Sequence, residues 1–495
     1  MATSLKEKTA RGLLWGAIDN GAMQFIGLAF GILLGRLLTP GDYGMIAMLT
    51  VFSAVASALQ ESGLGRAIVN LKQPTDRDCN SVFWFNVAVA LSCYVILFFL
   101  SPFIARYYHE PRLIPLSRFA FLSFVFGSLG VVQSALMQKR LMVKQRTKAN
   151  VTGVLCSSAL GVLMAWKGYG YWALATQTNT YILINTVLYW HYAKWRPSLS
   201  FDAEPVRRMF RFSCKILAST IITHVNNNVL NILLGHYFTA RDTGNYNQAY
   251  QWNSKVVYLL QGMLGAVSQP VMVDLRDNPA RQLAALRKLV RFTAFLSFPL
   301  VLGFGLVSHE FILITLTEKW LRSADYLRIL CIGGAFLPMS TLLSDFLISY
   351  GRSGIYLGST VTLAALQLTS MAVLYPLGIH TMVVGAAAIN ITWLFVWFFF
   401  CHRLIGYGLI MFLRDLLPFA AAAAAVMAAT GALTSPLSNP WALLLTRIAT
   451  AAVLYYAVMR LAGAQILKEC TDFILRKHKR KGGAKQGGNN GNSEQ

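Results

Sequence analysis

Residues 32–44 read ILLGRLLTPGDYG and residues 232–244 read ILLGHYFTARDTG, and seven of the thirteen aligned positions are identical. Ile, Leu, Leu and Gly recur at 32–35 and 232–235, while Thr39, Asp42 and Gly44 return as Thr239, Asp242 and Gly244. Short apolar matches arise easily, but Thr, Asp and Gly kept in register over 200 residues mark an internal repeat. Each copy sits between two apolar runs. Such runs, roughly 20 residues long and able to cross a bilayer core about 30 Å thick, recur from Leu13 to Ala462. With 55% hydrophobic and 13% charged residues and a mean hydropathy of +0.50, the chain is not an ordinary soluble enzyme.

Reading the apolar runs between polar punctuation predicts fourteen spans, near 12–36, 43–63, 81–103, 114–137, 149–166, 170–193, 212–235, 245–270, 292–316, 327–350, 355–376, 381–402, 411–431 and 441–462. The two copies of the repeat are six spans apart. That even number gives them the same orientation, related by an axis along the membrane normal. The expected fold is therefore an all-α polytopic membrane protein with 14 transmembrane helices. Residues 1–193 form an N-lobe (spans 1–6), 194–211 a linker containing Pro197 and Pro205, and 212–402 a C-lobe (spans 7–12). Residues 411–462 form a C-terminal helix pair, and 463–495 a basic, disordered tail ending in low-complexity sequence from Gly482.

The net charge of +24, from 44 Lys and Arg against 20 Asp and Glu, would suggest nucleic acid in a soluble chain. Here the cations crowd into the even-numbered loops and both termini, as with Lys139, Arg140, Lys144, Arg146 and Lys148 between spans 4 and 5. Such a bias is a topology signal placing both termini in the cytoplasm. It implies no nucleic-acid partner. The first apolar run lacks a cleavage pattern and is expected to remain as a helix. Seven scattered cysteines offer neither a disulfide framework nor a zinc site. The chain holds no GxxxxGK[ST] loop, HExxH pair or GxSxG elbow, so no cofactor, metal or catalytic group is expected. His109-Glu110 and His309-Glu310 read as solvated loop pairs, and Asp76-Arg77-Asp78 as helix N-terminal charge.

In span 1, Asn20, Gln24, Gly27, Gly31 and Gly35 share one helical face, and 200 residues on stand Thr220, His224, Asn227, Asn231 and Gly235. Two matched polar faces at membrane depth are expected to line a wet cleft between lobes, or to glue helices together. Arg118, Lys255, Asp19, Asp345 and Arg447 lie inside apolar runs, where a charge costs at least ~2.5 kcal/mol. Glu61 and Arg36 lie nearer an interface. Gln248, Gln251, Lys255 and Tyr258 share a face that presents a cation beside hydrogen-bonding groups, as an anionic, hydroxyl-rich ligand requires. The alternative for Arg118 and Lys255 is an ion pair with Asp19, Asp345 or Glu61, the acids also open to a coupling role. His224 is either a helix contact or a proton-coupling group. Arg447, outside the repeat, reads as structural.

Several stretches carry a family resemblance: Gly12-Leu13-Leu14-Trp15, Arg36 to Gly44, Glu61-Ser62-Gly63-Leu64, Phe83-Trp84-Phe85-Asn86 and Gly244-Asn245-Tyr246. From about residue 5 to 405 the chain resembles the Wzx-type polysaccharide flippases of the multidrug/oligosaccharidyl-lipid/polysaccharide (MOP) exporter superfamily, most like the colanic-acid-exporter branch. The resemblance implies a MATE-like fold, a central cavity lined partly by spans 1, 2, 7 and 8, and alternating access. It also implies an undecaprenyl-pyrophosphate-linked oligosaccharide as cargo, moved across a bacterial inner membrane for capsule, exopolysaccharide or O-antigen assembly, with membrane lipids, a polymerase and export machinery as partners. Arg118 and Lys255 would then meet pyrophosphate, and Asn20, Gln24, Asn227, Asn231, Gln248 and Gln251 sugar hydroxyls. Relatives often carry an acid in span 7, whereas this chain has only amides in Asn226 to Asn231. A lipid II-type flippase and a multidrug antiporter of the same fold are the alternatives; the latter's cationic cargo should select an acidic cavity. A membrane enzyme would need a large loop or a His and acid constellation, neither of which is seen. The basic run Arg476 to Lys481 reads as attraction to anionic headgroups.

Overall fold

Hydrocarbon holds no water to satisfy backbone N–H and C=O groups, so apolar runs of this length must fold as helices or as a closed barrel. The computed structural model describes residues 5–61 and 64–468, and its regular structure is helix, with no strand among the described residues. In chain order come α1 (Leu5–Leu37), α2 (Pro40–Glu61), α3 (Leu64–Asn70), α4 (Asp76–Tyr107), α5 (Leu113–Ala120), α6 (Leu122–Ser128), α7 (Val131–Lys139), α8 (Val143–Trp166) and α9 (Tyr171–Ala193). Then follow α10 (Ala203–Tyr237), α11 (Ala240–Asp274), α12 (Pro279–Leu306), α13 (Ser308–Leu316), α14 (Leu321–Gly334) and α15 (Leu337–Ser349). The last are α16 (Ser353–Leu374), α17 (Ile379–Ile405), α18 (Leu409–Thr434) and α19 (Pro440–Leu461). The expected tail beyond Lys468, with its basic run, lies outside the described residues, as do the side chains of Asn20 and Glu61.

Among the described residues, 10 helices are long and apolar enough to cross a membrane, or 11 if one bent pair counts as a span. The other expected spans, 12–36, 170–193 and 212–235, are helical but carry rows of polar residues, such as Gln177, Thr178 and Asn179 in α9. The chain is thus a multi-span membrane protein, with the count of fourteen not reached on apolarity alone.

One expected continuous span, 114–137, is instead broken into α5, α6 and α7, with a 43° bend before Val131. Breaks free carbonyls, and α9 supplies their donors. Asn179 Nδ2 donates to the Phe119 carbonyl at 2.8 Å, Thr186 Oγ1 to Phe126 at 2.9 Å and Trp190 Nε1 to Leu129 at 2.6 Å. The polar row that lowers the hydropathy of α9 is what makes the broken span tolerable. All of this lies within the first of two compact units, Met1–Ala249 with Thr315–Ser323 and Leu357–Met382. Its core gathers Met45, Met48, Leu49, Phe121 and Phe124. Loop cations finish helix ends there: Lys139 donates to the Val69 and Leu71 carbonyls, and Arg140 to Ala193 at 2.9 Å.

The second unit comprises Tyr250–Ile314, Ala324–Tyr356 and Val383–Gln495. Inside it α12 packs on α15, α18 and α19. Asp415 of α18 accepts from Arg287 Nε at 2.7 Å and from the Tyr407 hydroxyl at 2.9 Å, with Arg291 at 3.3 Å. Burial and the adjoining Asp415 carboxylate push the Tyr407 phenol well above its ordinary value.

Glu310 corrects the reading of His309-Glu310 as a solvated pair. Because α13 begins at Ser308, Glu310 falls in its first turn, is only 4% exposed, and meets Arg447 of α19 at 2.8 Å. Arg447 also donates to the Leu306 carbonyl and to Thr434 Oγ1, both at 3.2 Å, so its structural reading holds. Arg447→Met should cost about 3–5 kcal/mol by stranding a buried carboxylate, seen as a lower Tm in detergent. The double variant Arg447→Met with Glu310→Met should recover most of that loss.

Candidate functional site

Lys255 lies fifteen residues into α11, roughly 22 Å from its first residue and so near the depth of a bilayer centre. Its Nζ sits 4.1 Å from the centroid of the Trp252 ring one turn earlier. Trp252 is 4% exposed and is pinned edge-on by Phe311 at 4.9 Å, which fixes the platform under the cation. Gln251 and Tyr258 are exposed beside Lys255, whereas Gln248 at 4% exposure is buried, with its side-chain oxygen lacking a donor.

On α10, Thr220 and His224 are half-buried and Asn227 is exposed on the same face, while Asn231 is buried. Asn228 Nδ2 donates to the His224 carbonyl at 2.9 Å, and Asn231 Nδ2 to Asn228 Oδ1 at 3.4 Å. On α1, Gln24 is exposed and Asp19 accepts from Asn150 Nδ2 at 3.2 Å. Asn150 Oδ1 in turn accepts from the Tyr189 hydroxyl at 2.8 Å. Arg118 stands elsewhere, five residues into α5 and so roughly 8 Å from its start. Its guanidinium lies 4.1 Å over the Phe98 ring and donates to Ser101 Oγ at 3.0 Å. Asp345 is half-buried on α15. Among the described residues no carboxylate pairs with Arg118 or Lys255, and no cation with Asp19 or Asp345.

Sequence reasoning missed what the two 13-residue stretches do locally. In each, Thr and Asp three residues apart build an N-terminal cap. Thr39 Oγ1 donates to Asp42 Oδ2 at 2.6 Å while Asp42 N donates back to Thr39 Oγ1 at 3.3 Å. Thr239 and Asp242 repeat this at 2.6 and 3.2 Å. The signal was available in the Thr-x-x-Asp spacing, an acidic form of the capping box. The caps start α2 and α11, and the two helix starts touch. A Cβ added to Gly44 would overlap the Ala240 carbonyl, and one added to Gly244 the Pro40 carbonyl, so the crossing admits only glycine.

Neighbouring contacts come in matching pairs. Arg36 Nε donates to the Thr315 carbonyl at 2.8 Å, and His236 Nδ1 bonds the Tyr107 carbonyl at 2.6 Å, 200 residues on. Gly35 lies against Leu316, and Gly235 against Tyr108 and Met48. Trp320 Nε1 adds a bond to the Gly35 carbonyl at 2.8 Å and stacks edge-on with Tyr43, while Arg322 meets Asp242 at 3.2 Å. All of these contacts lie in the first unit.

The family described as "Polysaccharide biosynthesis protein" matches residues 33–325, more than half of the chain, taking in the second stretch whole and all of the first but Ile32. The chain belongs to that family. It is 27% identical to the lipopolysaccharide biosynthesis protein WzxC of Escherichia coli (strain K12), over 70% of this chain and 71% of that one. It is 22% identical to the succinoglycan biosynthesis transport protein ExoT of Rhizobium meliloti (strain 1021), over 85% and 83%. Its fold is that of the lipid II flippase MurJ in an inward closed conformation, with a TM-score of 0.71 at 11% identity over 91% of this chain and 98% of that one.

Proposed function

We propose that the chain is a transporter, not an enzyme, which flips undecaprenyl-pyrophosphate-linked oligosaccharide units across a bacterial inner membrane by alternating access. The observation that carries this reading is Lys255. A cation facing lipid at mid-membrane would cost about 2.5–3.5 kcal/mol, so an exposed, unpaired one on a helix with Gln251 and Tyr258 beside it fits a water-filled path. An ammonium among hydrogen-bonding groups replaces the hydration of a pyrophosphate and its first sugars, while the polyprenyl tail stays in lipid. Within the first unit, Thr220 and Asn227 on α10 and Gln24 on α1 offer polar groups suited to sugar hydroxyls, and Arg118 offers a further cation. The amides of span 7 carry no charge of their own, so Asp19 with Asn150 and Tyr189 is the better candidate for coupling to a cation.

With the positive-inside orientation, the Gly44 and Gly244 crossing lies on the periplasmic side. It then acts as the periplasmic closure of two six-helix lobes related by the repeat. WzxC and ExoT, named for glycan assembly and transport, support the cargo class. The test is deletion from the host, followed by a membrane-impermeant probe on spheroplasts that scores lipid-linked glycans in the outer leaflet. Retention on the cytoplasmic face with loss of a surface glycan is expected, and mass spectrometry of the retained lipid identifies the unit. Normal outward exposure of every such lipid, with no redundant transporter present, would return the chain to small-molecule export.

A further inference from the structure

The irregular segment between α9 and α10, Lys194 to Asp202, is strapped to the start of α4. Trp195 Nε1 donates to Asp76 Oδ1 at 3.1 Å, and its ring packs against Phe83. Ser198 N donates to Asn80 Oδ1 at 2.9 Å, Asn80 Nδ2 donates to Ser198 Oγ at 2.7 Å, and Trp84 Nε1 to the Ser198 carbonyl at 2.8 Å. Asn80 Nδ2 also reaches Ser200 Oγ at 3.3 Å, and Asp202 N donates to Ser81 Oγ at 3.1 Å. Arg77 pairs with Asp202, and Arg208 with Asp78 at 2.9 Å, closing the strap from its far end. The Asp76-Arg77-Asp78 run is therefore a docking platform as well as a charged helix start.

Along the strap, residues that meet α4 alternate with residues that do not. Ser198, Ser200 and Asp202 engage α4, so Leu199 and Phe201 point away, and they are 93% and 57% exposed. Depth comes from α4 itself. Its first turns are polar, from Asp76 to Ser81, and its apolar run begins at Val82 and Phe83, so Trp84 sits at the water–hydrocarbon boundary where tryptophans collect. The strap is bonded to that tryptophan, which puts Leu199 at the same level. Lys194 and Arg196 on the strap and Arg207 in the second turn of α10 are exposed and make no ion pair among the described residues. Apolar tips among free cations, at this depth, match the boundary between acyl chains and anionic headgroups.

We propose that Lys194–Asp202 is an interfacial anchor that inserts Leu199 and Phe201 into the edge of the adjoining leaflet and holds anionic lipid headgroups with Lys194, Arg196 and Arg207. The inference is independent of the cargo. Its test places a fluorophore on the full chain through Leu199→Cys, in nanodiscs of phosphatidylcholine with or without phosphatidylglycerol, with labelling of the unsubstituted chain as background. Leu199 is 93% exposed, so the substitution spares the fold. A spin label near the head of the lipid acyl chains should quench the fluorophore roughly twofold or more, and aqueous iodide should quench it little. Removing phosphatidylglycerol, or making Lys194→Gln with Arg196→Gln, should weaken the lipid quenching. Strong iodide quenching without lipid quenching would overturn the anchor. Lipid quenching indifferent to phosphatidylglycerol would overturn its anionic part, and protection seen only in native membranes would assign the surface to a protein.

Discussion

Gly44→Ala is expected to lower surface glycan export roughly 100-fold, because one methyl group there meets a backbone carbonyl that no rotamer change can move, at a cost of about 3 kcal/mol to the closed arrangement. Gly244→Ala should do the same through the Pro40 carbonyl. Gly358→Ala is the control, since a Cβ there meets nothing. On the proposed placement of the crossing at the periplasmic side, a variant unable to close there remains open to it, so a cysteine introduced by Asn227→Cys should become more reactive toward an impermeant thiol reagent added outside the cell. The paired contacts make the effect specific. Arg36 with Thr315 and His236 with Tyr107 depend on the same approach, and both are released if the two helix starts are pushed apart. Wild-type export together with unchanged labelling of that cysteine, in a variant expressed at normal level, would show that the crossing is only a packing contact.

The sequence made much of this architecture readable because its signals are local. Apolar runs mark helices through the fixed thickness of the bilayer, and Lys255 stands out because a charge inside such a run is costly wherever its partners are. The Thr, Asp and Gly of the two 13-residue stretches were visible as a repeat, but the contact between them joins residues 200 apart, and no periodicity reports that. Trp320, which closes the same region onto Gly35, lies 285 residues from its acceptor. The broken span 4 was unreadable for a related reason. Hydropathy measures transfer of side chains and cannot say that Asn179, Thr186 and Trp190, some 60 residues later, will take up the carbonyls a break leaves free. Glu310 was misplaced because burial of an acid depends on Arg447 arriving from another helix. The docked strap after α9 read as a linker because its binding partners, from Asp76 to Trp84, belong to the start of an earlier span.

Lys255→Gln should reduce glycan export about 10- to 100-fold at normal expression, the worth of one charge-assisted hydrogen bond to pyrophosphate of about 1.5–3 kcal/mol. Lys255→Arg should retain most activity, since charge and reach to the Trp252 face are both kept. Trp252→Leu should produce an intermediate loss, because the ammonium then keeps its charge but loses the surface that positions it. The three variants together separate the readings. A cationic cargo would be repelled by Lys255, so an antiporter would gain drug resistance when the charge is removed, whereas a pyrophosphate carrier loses export with drug sensitivity unchanged. Arg118 is expected to matter less. Its guanidinium is already engaged by Phe98 and Ser101, so less of its charge is open to a ligand than that of Lys255. The site is read out by scoring lipid-linked glycan in the outer leaflet. Equal exposure in Lys255→Gln and wild-type cells would remove Lys255 from the binding path and leave its cost within the membrane without a functional return.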